Sequence, residues 1–293
     1  MSPGAQAFIA LQHVLPQHGL SRLVHAAARA RVPWFKNLLI RAFMRGFKPD
    51  LSDAAQPDPF AYGSFNEFFT RALRPGARPL AGGDTTLVSP VDGTVNQLGD
   101  MADDRLLQAK GRYYTLEALL AGAAPKWAPL FHEGSFATIY LAPYNYHRIH
   151  MPTDGTLRDI WYVPGRLFSV NATAAAGVRD LFARNERLVL LFDGPVGAFA
   201  VIFVGALNVG SMATVWHGDV TPRRPRRCCA LPLPPEAERF RARGAEIGRF
   251  NMGSTVILLF ERDRATLAAR LAHGTVVRQG EDIGSFQPKG TPA

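Results

Sequence analysis

Between Gly194 and Trp216 the chain runs 23 positions without a charged side chain. No other stretch restricts the fold as much. Its length is that of a membrane-spanning helix. Yet Gly194, Pro195, Gly197, Gly205, Asn208 and Gly210 punctuate it, with β-branched residues between them. Glycine and proline disfavour a continuous helix, whereas short β-branched runs suit strands covered on both faces. The stretch therefore predicts two buried strands, Ala198–Leu207 and Ser211–Trp216, with a bend near Gly210. A spanning helix is the minor alternative. Strands this apolar need a large core, which 293 residues at 47% hydrophobic content can supply in one large domain or two small ones.

Other short runs bounded by turn residues supply further strands. They are expected near Thr86–Val88, Gly93–Leu98, Phe136–Ala142, Gly155–Tyr162, Arg187–Phe192, Ala245–Phe250, Thr255–Phe260 and Thr275–Val277. Ser211 onward extends to His217 on the same criterion. Short helices are expected at Leu116–Leu120 behind a Thr115 cap, at Ala174–Phe182 and at Arg264–Ala272. Ser64-Phe-Asn-Glu67 has the form of a capping box for one more, running through Phe68 and Arg71. The fold class is α+β: a β-rich core of short, mostly antiparallel strands with helical additions.

Residues 1–48 differ in character. Ala5–Leu15, Leu20–Ala30 and Trp34–Phe47 carry apolar residues at helical spacing. Arg22, Arg29, Arg31, Lys36, Arg41, Arg45 and Lys48 stud this segment, and no acidic residue precedes Asp50. Such a basic, apolar helical segment suits in-plane membrane docking, and equally a helical layer packed on the core. The missing acidic residues favour the membrane. Residues 49–293 then form the β-rich domain. The whole chain carries 33 Lys and Arg against 24 Asp and Glu, a net +9, which favours an anionic partner. Pro222–Arg227 is a basic, proline-rich loop that suits anionic headgroups or solvent. No nucleic-acid-binding motif accompanies it, so no nucleic-acid partner is expected. The two cysteines, Cys228 and Cys229, are adjacent and form neither a disulfide framework nor a metal-ligand pattern. No secretory signal is visible at the N-terminus.

Three places hold residues suited to chemistry. Asp92 lies in Ser89-Pro-Val-Asp-Gly-Thr94, a tight turn whose carboxylate suits the orientation of a histidine. His147 and His150 lie in Pro143-Tyr-Asn-Tyr-His-Arg-Ile-His-Met-Pro152. Their spacing places them on one side of a helical turn and on opposite sides of a straight strand. They suit a shared pocket, a packed hydrogen-bonded pair, or two ligands of a metal, for which no further cluster is evident. Ser254 follows Gly253 and precedes the buried run Thr255–Phe260. Its hydroxyl can reach the Gly253 carbonyl if the backbone bends, or it simply begins a strand. The residues around it do not form the Gly-x-Ser-x-Gly elbow of α/β-hydrolases.

These three motifs, in this order, resemble those of the bacterial (prokaryotic type I) pyruvoyl-dependent phosphatidylserine decarboxylases. SFNEFFTR (Ser64–Arg71), QAKGRYYTLEALLAG (Gln108–Gly122), YVPGRLFSVN (Tyr162–Asn171), LFARNER (Leu181–Arg187) and Val204–Trp216 extend the likeness to about residues 5–285. Met252 departs from the leucine common in that family. The resemblance implies an inactive proenzyme. His150, oriented by Asp92, acts as base on Ser254, whose hydroxyl attacks the Gly253 carbonyl. Elimination then leaves a β chain of residues 1–253 and an α chain of 40 residues (293 − 253) beginning with a covalent pyruvoyl group. That group forms a Schiff base with phosphatidylserine and accepts electrons as CO2 leaves, giving phosphatidylethanolamine. His147 positions the substrate carboxylate and supplies a proton. No metal is implied. The expected partners are phosphatidylserine and an anionic lipid surface, with the α and β chains of one processed chain and a homodimer as the assembly. The expected location is the cytoplasmic face of the cell membrane, held peripherally. Two other readings are a Ser-His-Asp lipid esterase acting through Ser254 and a non-catalytic membrane-binding module.

Overall fold

The computed structural model describes residues 2–207, 211–221, 227–251 and 253–288. The uncharged stretch does form strands, Gly197–Val204 and Met212–Thr214. Every residue of Gly197–Val204 is buried, as expected for a strand covered on both faces. The bend near Gly210 and most of the Pro222–Arg227 loop lie outside the described residues. Among the described residues no helix is long and apolar enough to cross a membrane.

The architecture is α+β, and every strand pair is antiparallel. The largest sheet runs Gly155–Val163, Arg187–Gly194, Gly197–Val204, Thr255–Phe260, Ser135–Tyr140, Gly93–Asp100, with short strands at both edges. Thr255–Phe260 is internal. It pairs residue for residue with Val204–Phe199 on one side and Tyr140–Ser135 on the other. A smaller sheet holds Gly218–Asp219, Met212–Thr214, Glu246–Phe250 and Arg148–His150. The chain therefore crosses between the large sheet and the small one in three places: after Tyr140, after Val204 and before Thr255. Hydrogen bonds join them, with Leu141 N donating to Ser254 O (2.8 Å), Asn251 N to Ser211 O (2.9 Å) and Phe250 N to His147 O (3.0 Å).

Three helices open the chain: α1 (Pro3–Val14), α2 (Gln17–Arg29) and α3 (Pro33–Phe47). They are fixed to the body by specific contacts. Gln12 Oε1 accepts from Ser169 N (2.6 Å), Gln17 Oε1 from Leu167 N (2.9 Å), and Arg29 pairs with Asp219 (2.6 Å). Their outer faces leave Val14, Leu23, Trp34 and Leu38 more than half exposed. A fourth helix, α4 (Phe65–Phe69), packs Phe65, Phe68 and Phe69 around Phe43 of α3. Ser64 caps it through Glu67 N (3.1 Å), while the Glu67 carboxylate accepts from Gly63 N (2.9 Å), one residue before the position a capping box uses.

Some expectations need correction. Arg264–Ala272 is not a helix. Ala265–Leu267 is a strand paired with Asp282–Phe286, and this non-local pairing outweighs the local preference of its alanines. Ala174–Phe182 is two short helices, Ala172–Gly177 and Leu181–Arg184, parted by extended Val178 and by Asp180 at φ 52°. Val215–His217 forms a turn and not the end of a strand. The hairpin Arg105–Ala109 with Arg112–Thr115 and the helix Ala124–Phe131 have only weak local signals in the sequence.

Candidate active site

The site lies at these crossings between the sheets. Gly253 and Ser254 occupy one of them. The loop 141–147 occupies another and delivers His147 beside Gly253. A β-carbon built on Gly253 would lie 3.4 Å from His147 Nε2 and 3.3 Å from the Leu141 carbonyl oxygen. The backbone there passes within side-chain reach of the imidazole.

His147 is fully buried, with its ring against Phe69 at a centroid distance of 4.1 Å. Its Nδ1 lies 2.8 Å from the Asn145 carbonyl oxygen. A carbonyl only accepts, so Nδ1 carries the proton and Nε2 the lone pair. That Nε2 is buried without a hydrogen-bond partner among the described residues. Burial, opposed by the Asn145 hydrogen bond and reinforced by the Arg71 cation, holds the ring's pKa down to about 3. The ring is neutral near pH 7, and its free base faces the Gly253 backbone.

His150 is differently engaged. Its Nδ1 donates to Gly244 O (2.8 Å) and its Nε2 accepts from the Tyr146 hydroxyl (3.0 Å). Burial lowers its pKa too. Asp92 lies close enough to pull that pKa upward, but its carboxylate is spent elsewhere. Arg78 donates to both Asp92 oxygens (3.1 and 2.7 Å), and Gln279 N donates to Oδ1 (2.8 Å). No Asp92–His150 hydrogen bond is present among the described residues. The strand carrying His150 is tied to the Asp92 turn through His150 N to Pro90 O (2.9 Å). Ser254 is buried, and its hydroxyl donates to the Val204 carbonyl while accepting from Thr255 N (2.6 Å). Thus His147 meets Gly253 directly, whereas Asp92 and His150 form neighbouring but separate hydrogen-bonded sets.

An apolar cavity of about 290 Å³ opens onto Gly253. Phe43 and Phe47 of α3, Phe69, Leu141, Ser169 and Leu207 are among the residues that line it. A larger groove of about 860 Å³ along Leu98–Asp103 and Ala265–Ala269 contains none of these site residues. Among the described residues no three His, Cys, Asp or Glu side chains converge as a metal site.

Sequence reasoning did not single out Tyr146, Arg78, Phe69 or Asn251. Asn251 Nδ2 donates to Ser211 and to Asp219 (3.2 Å), and Asn66 donates to Asn251 Oδ1 (3.2 Å). Asp219 is the partner of Arg29, so α2 is wired to the segment that leads into Gly253. Phe69 stands within SFNEFFTR and Tyr146 immediately before His147, so both were visible but had no partner to mark them.

The depressed histidines fix a pH dependence. The folded state holds His147 and His150 neutral, whereas the unfolded chain protonates them near pH 6.5, so the unfolded state binds more protons below that pH. The contribution of His147 is complete above pH 6.5 and is lost as pH falls toward about 3, and that of His150 falls in the same direction. The urea midpoint should fall between pH 7 and pH 5, and His147→Gln should flatten that decline. An unchanged slope would show that His147 does not titrate with unfolding.

A family model described as phosphatidylserine decarboxylase matches residues 65–285, and a second, described as PSD, matches residues 7–48. The chain is 49% identical over 278 residues to a phosphatidylserine decarboxylase proenzyme of Methylococcus capsulatus, covering 95% of this chain and 96% of that one. It is 50% identical over 283 residues to that of Bordetella avium (97% and 96% covered) and 49% over 285 residues to that of Pseudomonas fluorescens (96% and 98% covered). With a family model over most of its length and relatives at this identity, the chain belongs to the phosphatidylserine decarboxylase family.

Proposed function

We propose that this protein is a self-processing decarboxylase of phosphatidylserine whose electrophile is a pyruvoyl group made from Ser254. The observation that carries the reading is the Gly253–Ser254 junction itself: a buried hydroxyl and a peptide bond beside a neutral imidazole with an unpartnered Nε2. Ser254 Oγ bonds to the Gly253 carbonyl carbon as the peptide C–N bond breaks, and the proton passes from the hydroxyl to the freed amine. Loss of the Ser254 Cα proton then breaks Cβ–Oγ, leaving a carboxylate on Gly253 and dehydroalanine at position 254. The enamine tautomerises to an imine, and water displaces ammonia to leave a pyruvoyl group still amide-bonded to Thr255. A pyruvoyl carbonyl there supplies the electron-accepting centre through which an amino-acid headgroup loses CO2.

The surrounding residues fit that role. His150, steadied by Asp92, serves the cleavage, and for this its ring must leave the Tyr146 hydroxyl and Asp92 must turn from Arg78 to the imidazole. His147 Nε2 holds and returns a proton at the headgroup. A second reading makes His147 the cleavage base as well, favoured by its approach to Gly253. The apolar cavity between α3 and Gly253 excludes water and accepts the acyl-proximal part of a lipid.

The lipid remains in its bilayer, so the cavity must come to the surface. Exposed Val14, Leu23, Trp34 and Leu38 beside Arg22, Arg41 and Arg45 support peripheral docking of α1–α3 on the anionic cytoplasmic face of the cell membrane. Salt should weaken sedimentation with acidic vesicles without abolishing it. Trp34→Ala should lower vesicle affinity by roughly tenfold, from the apolar area it no longer inserts. Equal binding by both proteins would remove α3 from the docking face.

Denaturing gel electrophoresis with the intact mass of every fragment tests the reading as a whole. Two chains, the smaller beginning with a pyruvoyl group, are expected. An intact chain that reacts with a serine-directed phosphonate would make Ser254 an esterase nucleophile. An intact chain with neither activity would leave a membrane-binding module.

A further inference from the structure

Arg71, just past the end of α4, is 3% exposed, and among the described residues no carboxylate hydrogen-bonds its guanidinium, which lies 6.0 Å from the Phe68 ring. Nε and Nη1 have no hydrogen-bond partner among the described residues. Nη2 makes only two long contacts, to the carbonyls of Tyr144 (3.3 Å) and Asp50 (3.4 Å). The nearby carboxylates are occupied: Asp53 by Arg74 and Arg78, Asp92 by Arg78, and Asp50 by Ser52 N. Burial pushes the guanidinium below its ordinary pKa, the mark of a desolvation cost that its neighbours do not repay. A buried charge is normally paired, and an unpaired one destabilises the fold that holds it.

Arg71 lines a cavity of about 260 Å³, several times the roughly 30 Å³ share of one water molecule. Lys48, Arg78 and Arg278 line it as well, together with the carboxylates of Asp50, Asp53 and Asp92, of which Asp53 and Asp92 are paired with Arg78. Tyr144, Asn145 and Tyr146 form another part of its wall. The same loop, through Leu141 and Pro143, borders the apolar cavity at Gly253. The His147 loop thus divides an apolar compartment from a charged one, in which four basic side chains face three carboxylates.

We propose that this charged cavity is a binding site for a phosphate-class oxyanion, with Arg71 as its buried ligand and Lys48 and Arg278 at its rim. Two sources share that chemistry: the phosphodiester of a lipid headgroup and free phosphate. The choice between them rests on the decarboxylase reading, whereas the site itself does not.

Thermal unfolding of the full chain in phosphate and in chloride at matched ionic strength tests the site without any activity measurement. Phosphate should raise the Tm of the wild type beyond chloride, because a ligand of the folded state stabilises it by mass action. Arg71→Met should bind phosphate about 10- to 100-fold more weakly, the loss of charge-assisted hydrogen bonds. It should be at least as stable as wild type without phosphate, since it removes an unpaired buried charge. Arg71→Lys should keep part of the phosphate response. Equal responses of the wild type to phosphate and chloride would overturn the proposal. So would an undiminished phosphate response in Arg71→Met, or an Arg71→Met chain much less stable in phosphate-free buffer, which would make Arg71 structural. Should Arg71→Met not fold, that last outcome applies. Once phosphate binding is seen, decarboxylation of dispersed phosphatidylserine separates the sources. A KM raised by phosphate at constant kcat assigns the lipid phosphodiester, and unaffected kinetics assign free phosphate.

Discussion

A Ser254→Ala chain should remain whole at 293 residues and have no decarboxylase activity above background. Alanine removes the only oxygen that can take over the Gly253 acyl group at this junction, and with it the source of the electrophile. The loss should be complete, because no partial function survives without the group. The variant should still fold. Ser254 Oγ links the Val204 carbonyl and Thr255 N at the buried start of an internal strand, so its removal leaves those groups short of a partner at a cost of about 1–3 kcal/mol. That is tolerable for a domain with a core of this extent. A gel and an intact mass decide the matter, and a 40-residue fragment from this variant would disprove self-cleavage at Ser254.

The two histidine variants come next in size of effect. His150→Ala should accumulate as uncut chain. His147→Ala should be cut and then decarboxylate about 10²- to 10⁴-fold more slowly, the usual worth of a positioned acid or base. The structure makes this a demanding test, since His147 and not His150 approaches Gly253 in the uncut chain. If His147→Ala is the variant that stays whole, His147 is the cleavage base and the Asp92–His150 relay is abandoned. Asp92→Asn separates the cases further. It should slow cutting if Asp92 steadies His150, and it also weakens the Arg78 pair, so its Tm must be compared with that of Asp53→Asn, which loosens Arg78, together with the exposed Arg74 pair, while leaving Asp92 intact.

Much of this arrangement was legible before any coordinates. The uncharged stretch announced Gly197–Val204, because few alternatives bury so many β-branched residues. Thr115 capped Leu116–Leu120 as expected, through Ala118 N (3.1 Å). The residues of the site were legible as types and order, but their company was not. Arg78 claims Asp92 from fourteen positions earlier in the chain, and nothing in either local sequence declares that pair. Likewise the spacing of His147 and His150 left their orientation open. The structure decides it by starting a short strand at Arg148, so that one ring stays in the loop and the other enters the small sheet. Arg264–Ala272 misled for the same reason: its partner strand, Asp282–Phe286, lies further along the chain and overrides the preference of the segment.

If the chain is cut before Ser254 as proposed, the internal position of Thr255–Phe260 has a further consequence. Before the cut, folding is intramolecular, and covalent linkage gives the strand an effective concentration in the millimolar range toward its slot. After the cut, the fragment stays gripped by neighbours on both sides, yet it has lost that advantage should it ever leave. Thermal melting of the mature form would then be a one-way passage, with two polypeptides diluting apart and the inserted strand unable to find its place again. Longevity would be governed by an unfolding rate and no longer by an equilibrium. On the proposed cleavage before Ser254, this interior seat makes every mature molecule irreplaceable except by new synthesis.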